Sequence, residues 1–203
     1  MGITHKAVEM SGGIKIKDLV EALKYSGNGL TENMTKEEIL QILKDKYPAF
    51  IDLLTYTTVD DWSTDSGLNL TVNEEKIYLS TTSAYRIYTT LNKKTPIRSS
   101  SRLKLMGVVT EICYDTNKSG YQTHGYIEIS KNNGVTWTNI FMETATETTE
   151  TSGTTPFETE IDLSSYDGYE CQFRLSTNHT RNSDNFTGGS VAQFEINTFK
   201  VMY

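Results

Sequence analysis

Three histidines, two cysteines and a scatter of carboxylates are the residues of this chain that could do chemistry, and their spacing decides which chemistry. His5, His124 and His179 lie far apart, and no pair has the i, i+4 or strand i, i+2 spacing that turns two imidazoles towards one ion. Each reads as an ordinary surface or loop histidine. Ser, His and Asp are all available for a nucleophilic triad, but no nucleophile elbow and no glycine-rich oxyanion loop accompanies them. Asp60, Asp61 and Asp65 could pair as acid and base, yet acids gathered around Trp62 in a polar stretch read as a solvated loop. Cys113 and Cys171 each fall inside an alternating stretch rather than a metal-type spacing, so two buried thiols are expected. The expectation is a non-enzymatic protein with no metal and no cofactor.

Two segments qualify instead for turns and contacts. Asn133-Gly134, between alternating runs, is a hairpin signal because both residues tolerate positive φ, and it predicts a structural turn after which Trp137 packs inward. Residues 177 to 189 are rich in Asn, Ser and Thr around Phe186. This is the loop expected to touch a ligand, through Asn178, His179, Asn182, Asn185 and Phe186.

The elements that must position these residues change character along the chain. Ile16, Leu19, Val20 and Leu23 recur at helical spacing and stop at Gly27-Asn28-Gly29. Thr35 to Glu38 form a capping box ahead of Ile39, Leu40, Ile42 and Leu43, and this second helix ends before Pro48. Two helices of about ten residues are marginal alone in water. The eight apolar residues are therefore read as a docking and oligomerisation surface within a helical segment 1–55.

From Asp60 the period becomes 2, and 56–203 read as an antiparallel β-sandwich. The clearest run is Tyr169, Cys171, Phe173 and Leu175 against Glu170, Gln172, Arg174 and Ser176. In the last run, Phe194 and Ile196 have one parity while Phe199, Val201 and Tyr203 have the other. A bulge near Asn197-Thr198 is needed to keep both sets in the core. The fold class is thus mainly β, jelly-roll-like, preceded by a small two-helix segment.

Charge narrows the partners. A net charge of −7 with dispersed Lys and Arg argues against nucleic acid. No stretch approaches the roughly 18 apolar residues of a membrane span.

Certain motifs resemble known families. Ser130-Lys131-Asn132-Asn133-Gly134-Val135-Thr136-Trp137 resembles the Asp-box of sialidase propellers, with Asn132 at the Asp position; there the box is a folding element. Ile161-Asp162-Leu163-Ser164-Ser165-Tyr166-Asp167-Gly168, Cys171 to Leu175 and Phe194 to Val201 look like the end of the jelly-roll domains of MAM-type and carbohydrate-binding-like modules. That resemblance covers about Tyr126 to Tyr203 and implies the fold more than a function. Asn197 and Thr198 replace the Asp pair that can hold a structural calcium in such relatives, which argues against calcium here.

The layout and composition, Thr-, Asn- and Tyr-rich with helices that need a partner, are similar to small bacteriophage head-fibre, decoration and tail-associated proteins. This resemblance implies a structural or adhesion component of a virion, made in the host cytoplasm. Its partners would be capsid or tail proteins and its own copies, and it would display the sandwich outward to a cell-surface glycan. The alternative reading is a lectin-like carbohydrate-binding module without catalysis.

Overall fold

The computed structural model describes residues 50–113, 121–146, 152–180 and 190–203. The two predicted helices, with Ile16, Leu19, Val20, Leu23, Ile39, Leu40, Ile42 and Leu43, lie outside the described residues.

Twelve strands are described: β1 Phe50–Asp52, β2 Trp62–Thr64, β3 Asn69–Val72, β4 Ile77–Thr81, β5 Ile87–Leu91, β6 Thr95–Pro96, β7 Arg102–Cys113, β8 Gln122–Ser130, β9 Thr138–Thr146, β10 Gly153–Asp162, β11 Glu170–Thr180 and β12 Ser190–Met202. They form two antiparallel sheets. The first runs β10-β7-β12-β4-β3 with β1 added on β12, and the second runs β2-β5-β11-β8-β9 with β6 added on β11. From β4 onward the main strands alternate between the sheets except at the β8–β9 hairpin, which is the connectivity of a jelly roll.

The alternation that predicted these strands is also what fills the core. Leu103, Leu105 and Val109 of β7, Phe194, Ile196, Phe199 and Val201 of β12, Ile127 and Ile129 of β8, and Phe173 and Leu175 of β11 are all buried. Phe173 and Phe199 meet edge to face across the two sheets, with ring centroids 5.4 Å apart. Gly125 of β8 makes room for Phe194, since a Cβ there would come within 2.6 Å of the ring. The expected bulge is present. The β12–β7 register shifts between Ile196 and Thr198, and Asn197 is the extra residue, so Phe194 and Phe199 both point inward despite their opposite parity.

Residues 50–55, which the sequence reading placed in the N-terminal segment, belong to the sandwich. β1 pairs with Lys200–Met202, and the one-turn helix Leu53–Tyr56 buries Leu53 and Leu54. Asp52 caps that helix by accepting from the Leu54 amide at 3.2 Å. Three strands are too short for periodicity to show: β1, β2 and β6. Cys171 is a free, buried thiol whose pKa is pushed up to about 11 by burial.

Candidate functional site

The outward-facing side chains of the second sheet converge on one row of stacked groups. In the ladder, Arg174 lies between Thr90 and Glu128, and Ser176 lies between Tyr88 and Tyr126. Neighbouring strands are about 4.8 Å apart, so Tyr88 and Tyr126 stand roughly 10 Å apart, enough for one planar group between them. Arg86, immediately before β5, supplies it. Its guanidinium lies 3.3 Å from the Tyr126 ring centroid and 5.7 Å from that of Tyr88. Arg174 repeats the arrangement on the other side of Tyr88, 4.0 Å from that ring and 4.5 Å from Trp137. Tyr126, Arg86, Tyr88, Arg174 and Trp137 thus alternate ring and cation, each contact worth about 0.5–2 kcal/mol according to its burial.

One carboxylate pins the row. Glu128, its side chain 7% exposed, accepts from Arg174 Nε at 2.8 Å and holds Oε1 3.7 Å from Arg86 Nη1. His124 extends the row beyond Tyr126, with ring centroids 5.9 Å apart. Its Nδ1 and Nε2 bond to the hydroxyls of Thr144 and Thr180 at 2.9 and 3.1 Å. Burial first, and the Arg86 guanidinium second, hold its pKa below the ordinary value. At the tip of the β4–β5 connection, Tyr85 is 84% exposed and leaves an open ring beside Arg86.

Trp137 owes its place to the β8–β9 connection. Ser130 Oγ accepts from the Gly134 amide at 2.9 Å, and Asn132 Oδ1 accepts from the Thr136 amide at 2.9 Å. Asn133 and Gly134 take φ of 57° and 79°, as the predicted turn requires. The connection extends to residue 137, and alternation resumes only at Thr138. Trp137 consequently stacks on Arg174 outside the sheet, which corrects the expectation that it packs inward.

The residues expected to form a ligand loop are placed differently. β11 continues to Thr180, so Asn178 and His179 are strand residues, and both are buried. Asn182, Asn185 and Phe186 lie outside the described residues, as does His5. His179 Nδ1 bonds to the Ser190 hydroxyl at 2.7 Å, and Thr123 donates to Glu111 nearby in the same polar end of the core. A serine bonded to a histidine invites comparison with a nucleophile and its base, but Ser190 is 1% and His179 0% exposed. Among the described residues, no group of three or more His, Cys, Asp or Glu is placed to hold a metal ion.

Arg174 is expected from the sequence only as a solvent-facing strand residue, and Arg86, Tyr88, Tyr126 and Glu128 carry no expected role. A signal was available: the solvent parity of β8 and β11 carries Tyr126, Glu128, Gln172 and Arg174, large planar groups in place of the short Thr and Ser usual on a wet face.

No protein-family model matches the chain, and no curated protein does. Solved structures do. A non-crystalline-cellulose-specific carbohydrate-binding module, CBM28, has a TM-score of 0.43 at 11% identity, over 75% of this chain and 92% of that one. A CBM29-2 module has a TM-score of 0.39 at 7% identity, over 74% and 89%. The glycoside hydrolase domain of Endo-D from Streptococcus pneumoniae R6 has a TM-score of 0.36 at 12% identity. There the match covers 70% of this chain and only 21% of the other. The assignment of the architecture rests on the strand pairing of this chain itself.

Proposed function

We propose that the chain is a non-catalytic glycan-binding module and that the outer face of its second sheet is the binding surface. The observation that carries this is the row Tyr126, Arg86, Tyr88, Arg174, Trp137 fixed by Glu128. Sugar recognition needs planar groups that bond to adjacent hydroxyls and flat apolar surface for the sugar's C–H faces. It also needs both held still, because ordering long side chains on binding costs about 0.5–1.5 kcal/mol each. Here Arg174 is already ordered, on β11 and between the Tyr88 and Trp137 rings. Tyr85 supplies an open ring and Gln172 a further planar group beside Trp137.

The test is calorimetric titration of the native protein with a panel of soluble neutral and acidic polysaccharides. At least one should bind, and Trp137→Ala should weaken it about tenfold or more, as for a central aromatic contact. The variant should keep its circular dichroism spectrum. Absence of binding to every member of the panel by the folded protein would overturn the proposal.

A further inference from the structure

Two features of the row are not explained by neutral sugar alone. The first is Arg86. Its Nε and Nη2, the two donors that form the bidentate edge of a guanidinium, are shielded from solvent and have no hydrogen-bond partner among the described residues. Among the described residues its nearest carboxylate is that of Glu128, 3.7 Å from Nη1 and too far for a hydrogen bond. Shielding donors of a charged group without a partner costs free energy that a matching acceptor would return. The second feature is what lies beside that edge. Ser176, between Tyr88 and Tyr126 in the ladder, and Asn178, whose Nδ2 bonds to Ala84 carbonyl, both turn to the same face. Ser176 Oγ and Asn178 Oδ1 also lack partners. The donor edge of Arg86, a hydroxyl and a carbonyl acceptor therefore lie on the same face at neighbouring positions of the sheet.

Charge points the same way. Two guanidiniums share one carboxylate, so the row carries a surplus positive charge in a protein whose net charge is −7. Arg174 donates Nε to Glu128 and keeps its guanidinium stacked between Tyr88 and Trp137.

Resting on the glycan-binding reading above, we infer that the face selects acidic glycans: a carboxylate or a sulfate ester of the sugar takes the bidentate edge of Arg86, and a neighbouring hydroxyl donates to Asn178 Oδ1. Planar oxyanions match a guanidinium edge with two parallel bonds, and charge-assisted bonds are about twice as strong as neutral ones. Arg86 has the rotatable bonds to lift its edge to the surface, and its side chain is 27% exposed. A lysine there would keep the charge and lose the fork.

The experiment divides the same panel by charge, with polyuronates for the carboxylate, sulfated galactans for the sulfate, and neutral glucans, xylans and mannans as the third arm. The acidic polymers should bind at least tenfold more tightly than neutral ones, and whichever acidic arm binds names the group. Arg86→Lys should lose about tenfold or more on that arm while leaving the melting temperature close to that of the native chain. Equal or better binding of neutral polymers would overturn the acidic selectivity and leave the glycan-binding reading intact. Undiminished binding by Arg86→Lys would overturn the role of the fork. Failure of every arm removes both readings together.

Discussion

On the first sheet the side chains that face away from the core meet in small separate groups, Lys76 also lying over the Tyr78 ring and Lys200 over the Phe50 ring. Lys76 reaches Glu195 at 2.8 Å, Lys104 reaches Glu158 at 3.8 Å and Lys200 reaches Asp52 at 2.9 Å, none of these pairs sharing a member with another. On the second sheet two arginines, three rings and one carboxylate form a single connected object. Strand alternation is the same in both, so the difference lies in the side chains offered to it. Lysine is a point charge on a flexible stem, whereas arginine is a plane that stacks and bonds at once. The first face is therefore a set of independent, solvent-screened contacts, and the second is an ordered surface that persists without a ligand.

Removing the shared carboxylate should break that contrast most severely. Glu128→Ala leaves the guanidiniums on either side of Tyr88 without their shared carboxylate and is expected to cost about 3–5 kcal/mol, while Glu158→Ala on the first face should stay within about 0.5 kcal/mol. Urea midpoints of the two variants measure this directly; equal shifts would mean that the row is not held by Glu128. Gly134→Val comes next, at about 1–3 kcal/mol, because a β-branched residue is strained at φ of 79°. Its Cβ would also sit 3.4 Å from Trp137, so binding should weaken along with stability. A variant that loses neither shows that Trp137 is placed by something other than this turn.

A smaller effect concerns acid. The His124 pKa is held below its ordinary value of 6.5, so near that pH the unfolded chain takes up the proton first. The contribution to stability is thus present above about pH 6.5 and is lost as pH falls from there to the lowered folded-state value. Melting curves between pH 7.5 and 5 should show the decline, and His124→Gln should flatten it. An unchanged slope in the variant would assign the decline elsewhere. The smallest effect on binding is expected of Lys76→Met on the first face, which should leave glycan titrations unaltered; a clear loss of binding would place the ligand on the wrong sheet.

How much of this was legible in the chain differs between core and surface. Inward parity is a statement about water, so Phe173 and Leu175, or Phe194 and Phe199, could be read from alternation alone, and so could the bulge that reconciles the last pair. The row could not. Arg86, Arg174 and Glu128 belong to three different strand regions, and their meeting depends on a register that one sequence does not encode locally. Asn178 and His179 misled for a related reason: polar residues look like loop, yet here the sandwich has a polar end in which His179, Ser190, Thr123 and Glu111 are buried. Trp137 misled because the Asn-Gly pair marks where a turn occurs but not how many residues follow it.

The three pairs between β1 and β12 set the mechanical character of the sandwich. Phe50 stands opposite Met202, Ile51 opposite Val201 and Asp52 opposite Lys200, so the sandwich's first and last strands run side by side in opposite directions. Tension applied between residues 50 and 203 would pull across these pairs rather than along them. They would part in sequence, Phe50 first and the Asp52–Lys200 ion pair last, like a zipper rather than a sheared seam. The same adjacency makes the two ends easy to join: a short linker from Tyr203 to Phe50 would close the sandwich into a ring that could be opened at another surface turn, a circular permutant with its twelve strands in the same places.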